Sequence, residues 1–353
     1  MVTKKKVGII TFHRADNLGA VLQAFALQKT LEEKCDVVAE LIDYKCEEVE
    51  STKKVKINKS FKGIIKAVPM MIYYRIKQDR FNKFRKKALK ISETTFTKHN
   101  IEHCVNDYDI FITGSDQIWN FSCSGNDMTY FLDFVPSGKS KTSYAASIGS
   151  YKYTSDDENS VSNYLKDFNC VSVREPSARE VVEKLYGRNV NVNCDPVVLL
   201  NNEEWKKYIP ERLYPEKYIL VYLIQDDVNV MKSALKYAKD NGCKIINNKK
   251  SLEFILHNAP AEFLSWIFYA ECVFTNSFHG TMFSLIFSKP LGADVQLKGG
   301  NVNNRVKELL LESGCEYCIL TEGQSNVKVP NAEKWIVKER EKSIAYLKSV
   351  CSL

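Results

Sequence analysis

Short apolar runs alternate with longer segments of helical periodicity in the first part of the chain. Residues 7–12 form an apolar run, 18–33 repeat hydrophobic side chains at helical spacing, and 37–43 form the next run. Runs of this length are typical of buried strands, whereas a repeat near 3.6 residues is typical of a helix. A strand, a helix and a second strand in this order predict a βαβ unit and a parallel sheet.

The same alternation begins again after a polar stretch. Residues 201–217 are rich in polar and charged side chains and carry two prolines, and we interpret them as a linker. An apolar run at 218–224 opens a second set of strands and helices. The predicted fold class is therefore α/β, with two Rossmann-like domains, 1–200 and 201–330, facing across a cleft. The amphipathic pattern within 331–353 predicts a C-terminal helix.

A basic segment at about 51–98 interrupts the first domain. It holds fifteen Lys or Arg residues against two acids, and so carries more than the whole net charge of +7. Its hydrophobic residues follow a helical pattern, and Pro69 predicts a break into two helices. Three interpretations fit: a helical pair that covers the core, an amphipathic surface that meets anionic lipid, and a surface that meets nucleic acid. We adopt the first, keep the second open, and predict no nucleic-acid partner.

Composition limits the remaining classes. The chain is 44% hydrophobic, which is ample for sizeable cores, but no apolar run reaches transmembrane length. Eleven cysteines are scattered singly, and the N-terminus runs directly into a strand without a secretory pattern. We therefore expect a cytoplasmic protein with reduced thiols. His99 and His103 have zinc-like spacing but no third ligand in a useful pattern, so no metal site is predicted.

Polar residues follow several predicted strands at the edge where α/β proteins bind ligands. Asn17 and Gly19 open the first helix, where they would cradle an anion or form an ordinary cap. Ser115 and Asp116 follow the strand at 108–112. We expect Ser115 to bind a substrate oxygen, and Asp116 to bind or deprotonate a hydroxyl.

Arg174 ends a further apolar strand and has two interpretations. It forms a salt bridge with Glu175 or another acid, or it clamps a carboxylate or phosphate with its planar guanidinium.

The stretch 275–290 organises the second domain. An apolar run leads into it, and His279 follows where the strand passes into a helix. Ser277 is placed to cap that helix and to donate to an anion, and Gly280 would let a ligand approach the backbone. His279 would then be a general acid, or else a residue that caps the helix or fills the core. Arg305 stands near the start of the next predicted helix and would add positive charge.

Six short motifs occur in one order between about residues 7 and 310. They are Asp16-Asn17-Leu18-Gly19, Thr113-Gly114-Ser115-Asp116-Gln117-Ile118-Trp119, Ser143-Tyr144-Ala145-Ala146-Ser147-Ile148-Gly149, Val171-Ser172-Val173-Arg174-Glu175, Cys194-Asp195-Pro196-Val197 and Ser277-Phe278-His279-Gly280. In this ordered set the chain resembles the bacterial polysaccharide pyruvyl transferases. The resemblance implies a fold similar to the GT-B glycosyltransferases. It also implies transfer of a pyruvyl group from phosphoenolpyruvate to two hydroxyls of a sugar, giving a cyclic ketal and phosphate.

The resemblance also implies roles for individual residues. It places a general acid on His279 and a phosphoenolpyruvate-binding arginine on Arg174. The chain departs from the family where better-studied members have a second arginine two residues before the histidine, because Ser277 occupies that position. Either Arg305, Arg14 or Lys289 would then supply the missing charge, or the donor would be bound differently.

The reaction implied by the resemblance needs no metal and no cofactor beyond the phosphoenolpyruvate donor. Its second substrate is a sugar of a surface polysaccharide or its precursor. If that sugar is lipid-linked, the segment 51–98 would contact the inner membrane leaflet. Two alternatives stay open: a nucleotide-sugar glycosyltransferase of the same two-domain shape, and a non-catalytic binding protein that keeps the fold.

Overall fold

A computed structural model describes residues 4–53, 61–296, 303–321 and 327–353, and for 61–69 it describes the helix without its side chains. Contacts divide the chain into two compact units, residues 1–199 with 341–353 and residues 200–340. The described strands are β1 Lys6–Ile10, β2 Val38–Tyr44, β3 Ile91–Phe96, β4 Ile110–Gly114, β5 Ser140–Tyr144, β6 Ser172–Val173, β7 Asn191–Val192, β8 Tyr218–Tyr222, β9 Lys244–Asn247, β10 Val273–Thr275 and β11 Leu291–Ala293. The described α-helices are α1 Leu18–Lys34, α2 Glu47–Ser51, α3 Phe61–Ala88, α4 Phe121–Ser124, α5 Ser155–Leu165, α6 Pro176–Tyr186, α7 Asn202–Lys206, α8 Val228–Asn241, α9 Leu252–Leu256, α10 Pro260–Phe268, α11 Phe278–Ile286, α12 Asn304–Glu312 and α13 Glu333–Cys351. Short 3-10 helices cover Ile101–Asp107, Met128–Phe131, Pro196–Leu199 and Glu316–Cys318.

The first unit is built on a parallel sheet in the order β3-β2-β1-β4-β5. Its central strand β1 is buried on both faces, so its residues form a continuous apolar run. Register pairs Ile9 with Leu41 on one side and with Ile112 on the other. A small two-stranded sheet of β6 and β7 continues from β5 through isolated bridges. The strand order reverses direction between β1 and β4, which makes their carboxyl ends the switch point of this sheet.

The second unit is also built on a parallel sheet, which has fewer strands. Its four strands are parallel and lie in the order β11-β10-β8-β9. Phe274 on β10 pairs with Val221 on β8, and both are fully buried. The switch point falls between β8 and β10, at the end of the apolar run that leads to His279. The predicted α/β class with parallel sheets is thereby confirmed for both units.

The basic segment forms one long helix. Helix α3 runs from Phe61 to Ala88 without interruption at Pro69, so the prediction of two helices was wrong. A proline removes only one hydrogen bond of the helix and crowds one preceding carbonyl. About five further helical turns follow Pro69, and their hydrogen bonds do not involve it. Residues 54–60 of the segment lie outside the described residues.

The C-terminal helix α13 contributes its last part to the first unit. Its Tyr346 hydroxyl donates to the carbonyl of Ser143 at 2.9 Å, and its Ser343 hydroxyl accepts from the backbone N–H of Cys194 at 3.1 Å. These bonds fix the helix beside β5 and the loop after β7. Within the described part of the chain, no helix has both the length and the apolar character needed to cross a membrane.

Candidate functional site

The turn between β10 and α11 lies at the switch point of the second sheet. Asn276 is fully buried there and connects three elements. Its Oδ1 accepts from the backbone N–H of Ile224 at 2.9 Å, its Nδ2 donates to the carbonyl of Gln225 at 3.0 Å, and its own carbonyl accepts from Asn303 Nδ2 at 2.9 Å. The turn that presents His279 is therefore held by amide groups from the end of β8 and the start of α12.

Ser277 caps helix α11, as its sequence position predicted. Its Oγ accepts from the backbone N–H of Gly280 at 3.3 Å, and its own N–H donates to Thr275 Oγ1 at 3.0 Å. His279 is the second residue of the helix and is half-buried, with its ring edge-on to Phe278. The first turn holds no acidic side chain. Backbone N–H groups and the helix dipole therefore favour an anion beside His279.

Gly280 lies where α11 packs closely against neighbouring strands, and the approach of a ligand to its backbone stays a prediction. A Cβ built at this position would lie 2.7 Å from Thr275 Oγ1 and 3.2 Å from the ring of Tyr222. Such distances are shorter than van der Waals contact. The missing side chain lets α11 lie directly against the ends of β10 and β8, and this close packing fixes where His279 emerges.

Arg305 is the cation that the structure places beside this turn. It lies in the first turn of α12, with its guanidinium carbon 5.9 Å from the centroid of the Phe278 ring. Asn303, two residues earlier, anchors this start of α12 to Asn276. Of the three cations considered for the missing family arginine, Arg305 is therefore adjacent to the motif.

The other two cations are engaged elsewhere. Arg14 belongs to the first unit, where its Nη1 contacts Asp43 at 2.7 Å and its Nε contacts Glu50 at 2.9 Å. Lys289 follows the far end of α11 and donates to the carbonyl of Phe268 at 2.9 Å.

The switch point of the first sheet carries a cavity of about 450 Å³, a size usual for small-molecule sites. Asn17 and Asp116, both predicted site residues, line it together. Asn17 caps α1 by accepting from the N–H of Ala20 at 3.1 Å, so the ordinary-cap interpretation is confirmed. The residues that line the cavity are Phe12, Ala15, Asp16, Asn17, Ala20, Glu48, Val49, Thr52, Lys53, Tyr74, Lys77, Asp116, Gln117, Ser122 and Cys123.

Ser115 is not among the residues that line this cavity, and its role in binding a substrate oxygen stays a prediction. It is fully buried, and its backbone bonds the interior side chains Gln23 and Thr11. The next residue, Asp116, has φ of 67°, a left-handed conformation that aspartate tolerates better than most residues. This turn of the chain brings Asp116 to the cavity and leaves Ser115 inside.

Arg174 is buried in an ion-pair network, which is the first of the two interpretations from its sequence. Its Nη1 contacts Asp195 Oδ2 at 2.8 Å and its Nε donates to Glu175 Oε1 at 2.9 Å. Ser147 bridges the group, accepting from Arg174 and donating to Glu175 at 2.7 Å. Burial alone would lower the pKa of Arg174, but the carboxylates of Glu175, Asp195 and Asp116 raise it. Arg174 is only 6% exposed, and its guanidinium is engaged by these carboxylates, so its role as a clamp on an external anion stays a prediction.

The sequence of the chain also matches a model of a protein family. The model of the family described as polysaccharide pyruvyl transferase matches residues 17–291, which is most of the chain. The chain belongs to the polysaccharide pyruvyl transferase family. The match includes the motifs around Asn17, Asp116, Arg174 and His279, whereas Arg305 lies beyond its end. None of the curated protein sequences compared with the chain matches it.

Solved structures resemble this pyruvyl transferase family member at low sequence identity. The UDP-GlcNAc 2-epimerase of Methanocaldococcus jannaschii, in complex with UDP-GlcNAc and UDP, is 14% identical with a TM-score of 0.47, over 98% of this chain and 99% of that one. A putative UDP-N-acetylglucosamine 2-epimerase of Listeria monocytogenes is 11% identical with a TM-score of 0.46, over 96% and 94%. A mutant O-GlcNAc transferase of Thermobaculum terrenum is 10% identical with a TM-score of 0.43, over 99% and 64%.

Two features of this pyruvyl transferase family member were not identified from sequence. Arg85 on α3 is buried and donates to the carbonyls of His13, Arg14 and Ala15 and to Asp16. It therefore fixes the loop before Asn17. Lys77, two turns earlier on α3, lines the cavity. A helical pattern of lysines gives no signal for which of them turns inward.

The described residues contain no cluster of three or more His, Cys, Asp or Glu side chains able to hold a metal ion. All eleven cysteines are free thiols.

Proposed function

We propose that the protein transfers the pyruvyl group of phosphoenolpyruvate to two hydroxyls of a sugar in a bacterial surface polysaccharide or its precursor. The products are a cyclic ketal and phosphate. The observation that carries the proposal is the convergence of His279 and Arg305 at one sheet edge, beside the capped start of α11, in a chain of this family. Phosphoenolpyruvate carries a carboxylate and a phosphate, and both suit a helix N-terminus with an arginine.

The chemistry assigns separate tasks to these groups. His279 donates a proton to the methylene carbon of phosphoenolpyruvate while a sugar hydroxyl oxygen bonds to C2 and releases its own proton. The bond between C2 and the phosphate oxygen then breaks, and the oxygen of a second hydroxyl bonds to C2. One hydroxyl proton replaces the proton given by His279, and the other leaves on phosphate. Arg305 and the α11 N–H groups stabilise the negative charge of the donor and of the departing phosphate.

Ser277 has a narrower task in this proposal. It caps α11 where other members of the family carry an arginine, and its hydroxyl retains a proton to donate to the donor anion. Arg174 is assigned to holding the edge of the first sheet, because its guanidinium is committed to Glu175 and Asp195.

Calorimetric titration of phosphoenolpyruvate tests the donor assignment. We expect saturable binding that Arg305→Met weakens about tenfold or more, since a charge-assisted hydrogen bond is lost. Lys307→Met is the matched control, because Lys307 is exposed on the same helix, and it should bind normally. Binding of a UDP-sugar without phosphoenolpyruvate would overturn the proposal in favour of a glycosyltransferase. Donor binding without phosphate release across a panel of sugar acceptors would favour a binding protein.

The proposal places the enzyme in the cytoplasm, with a peripheral contact to the inner membrane leaflet through α3. Its outer face exposes Met71, Ile72 and Ile76, which are 48%, 57% and 41% accessible, among exposed cations such as Arg75 and Lys83. Apolar side chains within a basic face suit an anionic bilayer. Sedimentation with vesicles of phosphatidylglycerol should fall several-fold in Ile72→Ser/Ile76→Ser. Equal sedimentation of this variant and the native protein would remove the membrane contact and leave the reaction untouched.

A further inference from the structure

Two thiols from distant parts of the sequence are hydrogen-bonded to each other in the first unit. Cys35 follows the last residue of α1, and Cys351 is the last residue of α13. The S–H of Cys351 donates to the sulfur of Cys35. Both residues belong to the first unit, and both are free thiols. A disulfide needs two side chains that already point at each other, and a thiol–thiol hydrogen bond is evidence that these two do.

The two thiols differ in their access to solvent. Cys35 is partly exposed at the surface, whereas Cys351 is buried and only 7% exposed. A small oxidant therefore reaches the sulfur of Cys35 first, and the sulfur of Cys351 lies next to it. An accessible thiol beside a second thiol is the arrangement of cysteines that sense oxidation, because the second thiol captures the first oxidation product.

The surroundings of Cys35 stabilise its thiolate. The hydrogen bond from Cys351 lowers the pKa of the Cys35 thiol, burial opposes this effect, and the positive charge of Lys348 lowers the pKa further. The negative end of the α1 dipole would disfavour a thiolate, so the S–H of Cys351 and the ammonium of Lys348 act against it. Asp36, the next residue, is ion-paired with Lys4. The thiolate is the form of cysteine that attacks an oxidant.

Several other cysteines are poorer targets for oxidation. Burial raises the pKa of six further thiols, which are those of Cys46, Cys104, Cys170, Cys243, Cys272 and Cys318. Cys318 also belongs to the close sequence pair with Cys315, but both are buried, and the Cys318 thiol donates to the carbonyl of Lys328 at 3.7 Å. We therefore expect Cys35 to react before these six thiols.

We infer that Cys35 and Cys351 form an oxidation-sensitive pair, which closes into a disulfide and holds the end of α13 against α1. The oxidant is hydrogen peroxide. The Cys35 thiolate attacks one peroxide oxygen and the O–O bond breaks, which gives a sulfenic acid and a hydroxide that takes a proton from solvent. The Cys351 sulfur then bonds to the Cys35 sulfur, the S–O bond breaks, and the hydroxyl leaves as water with the Cys351 proton. Two thiols are oxidised, and one peroxide is reduced to two waters.

The disulfide acts on a helix end that already contacts the first sheet and the loop after β7. The Tyr346 hydroxyl donates to the carbonyl of Ser143, and the Ser343 hydroxyl accepts from the N–H of Cys194. Both bonds open if the end of α13 separates from the unit. A covalent link at Cys351, just beyond these residues, opposes that separation, because local opening of the helix would have to break the disulfide as well. The pair thus couples the redox state of the surroundings to the stability of α13.

Peptide mass spectrometry after treatment of the full chain with hydrogen peroxide tests the pair. We expect two peptides joined through Cys35 and Cys351, which dithiothreitol separates. Cys351→Ser should leave Cys35 as a sulfenic acid that dimedone captures, whereas Cys35→Ser should leave Cys351 reduced. Cys243→Ser is the matched control, because Cys243 is a partly exposed thiol in the second unit, and this variant should form the cross-link normally. Oxidation of Cys35 no faster than that of Cys243, or a preferred cross-link to another cysteine, would overturn the inference.

Amide hydrogen exchange tests whether the disulfide holds the helix. Exchange in residues 343–351 should slow several-fold in the oxidised protein and return to its original rate after reduction. Cys35→Ser, whose mutated side chain lies at a partly exposed position, is the control and should show no change after the same treatment. Equal exchange in the oxidised and reduced protein would overturn the inference. Neither measurement involves phosphoenolpyruvate, so the result is independent of the proposed function.

Discussion

The two sheets present their switch points in different chemical ways. At the edge of the first sheet, arginines are buried against carboxylates, as in Arg174 with Asp195 and Arg85 with Asp16. At the edge of the second sheet, neutral amides from Asn276 and Asn303 hold the turn. The carboxylate of Asp227 also interacts with the side chain of Asn276 in this frame. An arginine at a strand end is therefore evidence of a ligand site only when the surrounding carboxylates are counted as well.

This difference also bears on the missing family arginine. Serine at position 277 caps α11 through Gly280, which leaves the helix start closely packed and uncharged. Positive charge then comes from the next helix, through Arg305. Under the proposed function, the histidine therefore stays on α11 while the positive charge comes from α12.

Removing the histidine at the edge of the second sheet should produce the largest effect, which is on the rate of phosphate release. With Asp116 and Arg305 intact, His279→Gln should lower the rate of phosphate release about 10²–10⁴-fold, the usual contribution of a general acid. Phosphoenolpyruvate affinity should stay close to the native value, because the cation and the helix N-terminus are unchanged. His99→Gln, at an exposed position in the first unit, is the control. Unchanged turnover in His279→Gln would assign proton donation to another group.

Removing the buried guanidinium of Arg174 tests whether the edge of the first sheet depends on it for stability. Arg174→Met leaves Glu175 and Asp195 buried without their cation and should cost about 3–5 kcal/mol of unfolding free energy. Urea denaturation followed by fluorescence measures this loss. The triple variant Arg174→Met/Glu175→Gln/Asp195→Asn should recover part of it, because no uncompensated charge is left.

The contrary outcome would restore the role that family resemblance implies. An Arg174→Met protein of native stability that no longer binds phosphoenolpyruvate would mean that the arginine contacts the donor. The two edges would then both hold ligand-facing cations, and the contrast between them would fail.

Much of this architecture could be predicted from sequence because it depends on local patterns. Apolar runs and helical spacing located the parallel sheets, and the position of Ser277 before α11 predicted its cap. The parts that could not be predicted depend on distant partners. The pairing of Arg174 with Asp195, 21 residues later, follows from the return of β7 beside β6 and not from any local signal.

The same reasoning applies to two positions that local patterns did not determine. Ser115 and Asp116 are neighbours with similar polarity, and only the left-handed backbone at Asp116 decides which one reaches the cavity. Pro69 signals a helix break by its covalent structure, yet α3 continues through it for about five further turns. In both cases the sequence supplies a local preference, and the backbone that the chain adopts differs from it.

The smallest expected effect concerns Gly280 and tests whether the second edge depends on close packing. Gly280→Ala places a methyl group 2.7 Å from Thr275 Oγ1, so α11 must shift away from β10. We expect a loss of about 1–3 kcal/mol of unfolding free energy, as for other overpacked sites, measured by urea denaturation. Adding Thr275→Ala removes the obstructing hydroxyl and should return part of that stability, although it also deletes the bond to Ser277. If Gly280→Ala instead retains full stability and loses phosphoenolpyruvate binding, the glycine makes room for the ligand, as its sequence position first suggested.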